Sequence, residues 1–316
     1  MILNHVIREK LDEIYLTVNR PALELAGAGR KLIRASSSDA PSLMQLMASG
    51  ARLLWVAAHP DDEILAAPLL AASSLFYQNP SYFLVFTHGE GGECSVPDGC
   101  KPDVAVIRGK EMQQAAQLYH AELRHEYFYN AHLPLESFPK RHEIAATWLS
   151  QGDPARVTAE VIRKFRPDLL LTLAPEFGYT GHIEHQLASR FAMAGIRLAA
   201  EPAFSLGLSP HRISHTYFLL NKYWFMKLWG RGYDPRPWTD MFDVRLPCSG
   251  NRTGTDIMRE NIEIHRSQPW DMAAFRRLSN IIHHLFLYRA DPYQEIKDPF
   301  EPQEHSKFGL HRIKFH

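Results

Sequence analysis

The sequence predicts an α/β fold, a Rossmann-like, doubly wound and mostly parallel sheet with helices on both faces. Three observations predict it. LLWVAA from Leu53, YFLVFT from Tyr82 and DLLLTLA from Asp168 are short apolar runs without polar alternation, the pattern of strands buried on both faces. Helical stretches separate these runs, and a β, α, β, α order with short connections implies parallel pairing through right-handed crossovers. Each run also leads into a polar loop, HPDDE, HGEGGE and GYTGHIEH respectively. Sheets of this kind bind ligands beyond the carboxyl ends of their strands, so residues far apart in sequence can converge there.

In chain order, residues 1–50 are expected to form an N-terminal helical extension, because Ile7, Leu11, Ile14 and Tyr15 fall on one apolar face; ASSSDAP then serves as a linker. The main domain is expected over 51–300. After the first strand, EILAAPLLAASSLFYQ is predicted helical; after the second, a glycine-rich loop leads to the helix VIRGKEMQQAAQLYH. HEYFYN is read as a third strand, VTAEVIRKF as a helix and DLLLTLA as a fourth strand. TYFLL and MFDVRLP are read as late strands flanking the aromatic segment KYWFMKLWGRGYDPRPW, and SNIIHHLFLY as a terminal helix. Residues 301–316 are expected to be a tail.

Composition narrows the function. Lys+Arg and Asp+Glu both number 35, so no global field draws nucleic acid, and no basic stripe suggests it. With 45% hydrophobic and 22% charged residues the 316-residue chain can bury a core without disulfides. The 3 cysteines form no C-x-x-C framework, the N-terminus lacks a signal-like apolar run, and no stretch approaches a membrane span. A cytoplasmic location is therefore expected. The first strand ends in HPDDE rather than G-x-G-x-x-G, which argues against a dinucleotide-binding oxidoreductase.

Among 17 histidines, a few sit where chemistry is expected. His59, Asp61, Asp62 and Glu63 directly follow an apolar strand. Imidazole and carboxylate suit Zn²⁺, and a catalytic zinc takes three protein ligands and keeps a position for water. His59 and Asp62 could supply two. His182 and His185 lie three residues apart at the start of a predicted helix, so their rings can share a side, one binding metal and the other serving the substrate. Asp61 or Asp62 could alternatively cap the helix that begins near Glu63.

AAHPDDE at residues 57–63, THGEGGE at 87–93 and GHIEHQ at 181–186 together resemble the motifs of the PIG-L or LmbE-like family, the N-acetylglucosaminylphosphatidylinositol de-N-acetylases. Arg108, Glu111 and Ala115, then RPDLLLT, then HRSQ at 265–268 follow in the family's order, and the resemblance covers roughly residues 52–295. It implies a zinc hydrolase on a Rossmann-like fold that removes an acetyl group from an N-acetylglucosamine conjugate, with Fe²⁺ or another divalent metal as the alternative in the cell. Carried over residue by residue, it implies His59, Asp62 and His185 as metal ligands, Asp61 as general base and His182 as the electrostatic or acid partner. The family's Y-G-H becomes Tyr179, Thr180, Gly181, His182 here, so either Tyr179 or Thr180 takes the place of a phenol facing the reacting carbonyl. Glu184 stands where the family often has Asp and could still orient an imidazole.

Around this centre, the loop from His88 to Lys101 is expected either to border the crevice, with Glu90 or Glu93 meeting substrate hydroxyls or the amine product, or to be a solvated mobile loop; His265 could close over the substrate while Ser267 and Gln268 terminate a helix. Arg108 and Glu111, one helical turn apart, are read as a stabilising pair. Cys94 and Cys100 could clip the His88 to Lys101 loop if oxidised, although spacing alone does not give their distance, and free thiols are the preferred reading. The aromatic segment is open to three readings: core or oligomer contact, a sugar-stacking wall whose basic residues hold phosphate, or peripheral membrane contact for a lipid-linked substrate. The expected partner is a small N-acyl amino-sugar conjugate, and a homo-oligomer is compatible with the N-terminal extension. Two competing functions stand beside deacetylation, an amidase for a larger acyl group and a noncatalytic metal-binding module.

Overall fold

The computed structural model describes residues 41–92, 94, 96, 99–101, 103–132, 138–223, 232–294, 298 and 300. The tail and most of the N-terminal extension lie outside them; within the extension's last residues, α1 (Leu43–Ala48) is closed by a capping box between Ser42 and Gln45.

The core is a seven-stranded sheet. Its strands in chain order are β1 (Leu53–Ala57), β2 (Ser81–Val85), β3 (Glu122–His125), β4 (Leu169–Leu173), β5 (His215–Leu220), β6 (Asp240–Asp243) and, after the small hairpin β7 (Pro247–Ser249) and β8 (Arg252–Thr253), β9 (His284–Ala290). They lie in the order β3-β2-β1-β4-β5-β9-β6. The first five are parallel; β9 runs antiparallel to both β5 and β6. The chain winds outward from β1 in one direction and from β4 in the other, so the switch point lies between these two neighbours, where such sheets leave a crevice.

The unalternating apolar runs are explained by burial on both faces. Leu53, Trp55, Ala57, Phe83, Val85, Leu169, Leu171 and Leu173 belong to one core cluster. Leu54, Val56, Ala58, Leu84, Phe86 and Leu170 belong to the other. The first cluster is covered by α3 (Val104–Leu118), by α7 (Gly254–Ile264) and by the helical run after β1. The second is covered by α4 (Arg141–Gln151), α5 (Pro154–Phe165) and α6 (Ile183–Ala200). A last helix, α8 (Pro269–Ser279), follows α7. No helix among the described residues is long and apolar enough to cross a membrane.

Several expectations need correction. SNIIHHLFLY is not a helix: His284 onward forms β9, whose Phe286–Ala290 pair with β5 on one side and His284–Leu287 with β6 on the other. Its apolar residues answer to two strand neighbours, and a short apolar run does not by itself reveal its period. The strand expected at HEYFYN is centred earlier, because β2 ends at Val85 and only the amides of Glu126 and Phe128 continue the pairing, to Val85 and Phe86. The helix expected from Glu63 is a 3-10 turn (Asp62–Ala66), a short α-helix α2 (Ala67–Ala71) carrying Pro68 in its first turn, and a π-turn (Ala72–Phe76). Helix α4 was not anticipated. Cys94 and Cys100 are disulfide-bonded rather than free, their Cα atoms 5.8 Å apart.

Of the aromatic segment, residues 224–231 lie outside the described residues. The described parts serve packing: the buried Lys222 ammonium donates to the carbonyls of Asp234 and Arg236, and Tyr223 donates its hydroxyl to the carbonyl of His284.

Candidate metal centre and active site

Two strand ends meet at the switch point. β1 delivers His59 and Asp62; β4 leads through the turn Gly178–Gly181 to His182, which caps α6, and to His185 in its first turn. His59 Nδ1 lies 3.1 Å from His185 Nε2, and Asp62 Oδ1 lies 2.8 Å from the same nitrogen. Asp62 Oδ2 is 3.7 Å from His59 Nδ1 and accepts from the amides of Ala58 and His59. The three residues named from the sequence as ligands thus bring one atom each to a common point.

The outer atoms of the two imidazoles decide their tautomers. His59 Nε2 lies 2.6 Å from Glu184 Oε2, an acceptor, so this nitrogen carries the proton and Nδ1 is left with a lone pair. His185 Nδ1 donates to the carbonyl of Gly178 at 2.8 Å, which leaves the lone pair on Nε2. Two nitrogen lone pairs and a carboxylate oxygen therefore face one another, an arrangement that requires a cation among them. In its absence a proton takes the place. Burial lowers the pKa of His59, but the hydrogen bonds and charges of Asp62 and Glu184 outweigh it and raise it to about 10. Asp62, despite the penalty of burial, is held well below the usual carboxylate range by His185 and His59. This donor set fits a divalent metal.

His182 also belongs to the cluster: one nitrogen from each of His59, His182 and His185 lies within 4.8 Å of the others, a three-histidine group that could hold a metal. Its role differs, however. His182 Nδ1 accepts from the amide of Glu184 at 3.3 Å, which puts the imidazole proton on Nε2 and removes that lone pair from coordination. Burial, reinforced by the neighbouring His59 and His185, pushes its pKa well below the ordinary value, so the ring is neutral. We therefore favour Asp62 over His182 as the third donor.

Glu184 is wholly committed. Beside His59, its Oε2 accepts from Asn130 Nδ2 at 2.6 Å and its Oε1 from the amide of Ala131 at 2.7 Å. The longer side chain in place of Asp reaches His59 and the segment after β3 together.

Asp61 lies beside this centre in the left-handed backbone region, at φ 95°. It makes no side-chain cap, which removes the capping alternative. Its carboxylate accepts from Arg108 Nη2 at 2.8 Å. Burial raises its pKa and Arg108 and His265 lower it, leaving it at about 6. Arg108 was expected to pair with Glu111; instead it spans Asp61 and the carbonyls of Pro60 and Gly89, and Glu111 accepts from Ser267. The helix turn brings Arg108 and Glu111 to the same face, but both point inward to buried partners that sequence spacing does not show. Gly89 has φ +69°, and a Cβ there would fall 2.2 Å from the Arg108 guanidinium, which explains glycine in this loop.

Other expected contacts are placed differently. His265 is fully buried and bonded to Glu63 at 2.6 Å, behind Asp61 rather than over the substrate. Tyr179 is buried in the core cluster that includes Leu65 and Tyr223 and borders a small apolar pocket with Asn221 and Met258. The left-handed Gly178 and Gly181 flank it and redirect the turn, so its neighbour Thr180 instead meets the centre, with Oγ1 3.1 Å from His185 Nδ1. Glu90 is partly buried and its Oε1 accepts from the amide of Asn130. Glu93 lies outside the described residues. Asn130 and Asn261, which contact Glu184 and Glu63, were missed; Asn130 carried the signal of a polar residue just past a strand end.

Residues 54–196 match the family model described as PIG-L, GlcNAc-PI de-N-acetylase. Among curated proteins, the chain is 30% identical over 169 residues to 1D-myo-inositol 2-acetamido-2-deoxy-alpha-D-glucopyranoside deacetylase 1 of Catenulispora acidiphila, covering 49% of this chain and 50% of that one. It is 30% identical over 179 residues to the 1D-myo-inositol 2-acetamido-2-deoxy-alpha-D-glucopyranoside deacetylase of Streptomyces avermitilis, covering 53% and 60%. The chain thus spans about half the length of the curated relatives it matches. Of solved structures, the N,N'-diacetylchitobiose deacetylase of Pyrococcus horikoshii superposes with a TM-score of 0.52 at 18% identity, covering 78% of this chain and 87% of that one. The 4-carboxy-2-hydroxymuconate hydratase GalB of Pseudomonas putida superposes with a TM-score of 0.54 at 15% identity, covering 78% and 98%. These two likenesses are of fold alone, and the different reactions in their names show why the site has to carry the functional reading. AAHPDDE, THGEGGE and GHIEHQ all fall within residues 54–196, the stretch over which the chain matches the PIG-L family.

Proposed function

We propose that the chain is a metal-dependent hydrolase that removes the acetyl group from the amide nitrogen of an N-acetylglucosamine-type conjugate. The observation that carries this reading is the set of facing lone pairs of His59, His185 and Asp62 with the carboxylate of Asp61 beside it. The deacetylase names of the curated relatives support the substrate class. His59, Asp62 and His185 would hold the metal, and two imidazoles with one carboxylate suit zinc. A divalent cation so held supplies Lewis acidity, polarising the amide carbonyl and lowering the pKa of water towards about 7.

The chain's own residues supply the remaining chemistry. An amide nitrogen is a poor leaving group and has to be protonated as it departs. Asp61, with its carboxyl at about 6, is ionised at neutral pH yet far more basic than an exposed aspartate. It accepts the proton of the attacking water and returns it to the amine. His182, neutral with its proton on Nε2, serves the developing oxyanion as a hydrogen-bond donor rather than as a cation. Thr180 holds the face of His185, and Glu184 holds that of His59.

The test is acetate release from a panel of N-acetylglucosamine conjugates by zinc-loaded protein, with metal-stripped protein and Asp61→Asn alongside. Metal-dependent release that Asp61→Asn loses while keeping its metal supports the reading. Release of a longer acid but no acetate would favour the larger-acyl amidase, and full activity in Asp61→Asn would remove the base assignment.

A further inference from the structure

Asp61 is held from both ends. Its amide donates to Glu63 Oε2 at 3.0 Å, and its carboxylate accepts from Arg108 at 2.8 Å. Both holders lead to the same distant turn. His265 Nε2 donates to Glu63 Oε1 at 2.6 Å, 202 residues away in sequence, and Asn261 Nδ2 joins it at 2.9 Å. Two residues on, Ser267 donates its amide and hydroxyl to Glu111 at 2.9 and 2.7 Å. Glu111 lies one turn after Arg108 on α3. These hydrogen bonds, joined by the backbone between His265 and Ser267 and by the α3 turn between Arg108 and Glu111, close a ring that runs from the Asp61 amide through Glu63, His265, Ser267, Glu111 and Arg108 to the Asp61 carboxylate.

Glu63, His265 and Ser267 have no exposed surface, so none of them reaches a substrate. Burying two carboxylates, an imidazole and a guanidinium incurs desolvation that apolar side chains of the same volume would avoid, and packing alone gives no reason for it. What the ring does hold is a strained backbone: a residue with a side chain at φ 95° persists only where its surroundings over-determine it.

We propose that this ring is a positioning device for Asp61 and that the turn His265–Gln268, beyond the residues matched to the family model, closes it. The inference rests on Asp61 as the base in the deacetylation proposed above. Glu63, His265, Ser267 and Glu111 are positioning residues: they act on the reaction through the geometry of Asp61. The C-terminal segment thereby completes an active site whose ligands all come from the first two hundred residues.

The test compares His265→Met, which keeps bulk and loses the donor, with His265→Gln, which restores a donor. His265→Met is expected to lower kcat roughly 10- to 100-fold with KM and metal content unchanged, and His265→Gln to recover most of it. Combined with Asp61→Asn, His265→Met should bring no further loss, since both act through one group. A crystal structure of His265→Met should show Asp61 out of its left-handed conformation or off Arg108. Should His265→Met fail to fold, Ser267→Ala is read in the same ways. An unmoved Asp61, or an equal loss in both backgrounds, would overturn the ring. If metal-loaded wild type cleaves no conjugate, the deacetylase reading fails, and the crystal comparison alone then decides whether the ring holds Asp61.

Discussion

Arg108 and Asp61 form a buried ion pair at 2.8 Å, and the same guanidinium holds the carbonyls of Pro60 and Gly89. Arg108→Met would leave the carboxylate buried without its charge partner, a loss of roughly 3–5 kcal/mol. It would also remove the group that lowers the Asp61 pKa. A base acts when ionised, so activity is lost as pH falls through its pKa; without Arg108 that loss begins at higher pH. Urea unfolding and the acidic limb of kcat/KM measure the two effects, and an acidic limb that stays in place would show that Arg108 does not tune Asp61.

The facing lone pairs of His59 and His185 predict proton release on metal binding. With His59 at about 10, its extra proton is present at pH 8 and has to leave when a cation arrives. Zinc added to metal-free protein in weak buffer should release about one proton per site from this group. Release unchanged in His59→Gln would assign the proton elsewhere. His185→Ala should lose stoichiometric metal.

Thr180 contacts the imidazole of His185, a proposed metal ligand. Thr180→Val should therefore weaken metal affinity, by up to roughly 10-fold since Gly178 also holds His185 Nδ1, and leave KM near wild type at saturating metal. A raised KM with unchanged metal affinity would return Thr180 to the substrate side.

His88 is stacked between His125 and Tyr127, each ring centroid 3.6 Å away. Burial and the neighbouring His88 push His125 down to about 4. An unfolded histidine titrates near 6.5, so between these values the unfolded chain binds more protons and stability falls as the pH is lowered. The contribution is complete above about 6.5 and lost towards 4. Urea midpoints measured from pH 7.5 to 5 should fall less in His125→Gln than in wild type. Parallel curves would exclude His125 as the source.

Gly91 packs so closely that a Cβ would lie 2.2 Å from the carbonyl of Ala131, a backbone atom that cannot swing aside. Gly91→Ala should cost about 1–3 kcal/mol and shift the segment that presents Asn130 and Ala131 to Glu184. A thermal melt alongside metal titration checks both, and wild-type values in the two would show that the loop has slack.

Sequence alone determined what is local. Strands buried on both faces read as unbroken apolar runs, and the motifs that follow them named His59, Asp62 and His185 before any contact was visible. The same reading could place those motifs at strand ends because parallel topology puts every such end on one edge. Tertiary structure decided the partners. Arg108 turns to Asp61 rather than Glu111, His265 to Glu63 rather than the substrate, and Tyr179 to the core rather than the crevice. It also made β9 a strand, through neighbours on both sides. Each of these depends on what lies across a gap of dozens to hundreds of residues, and a buried charge chooses the partner that best offsets its desolvation, a choice that only the folded chain makes available.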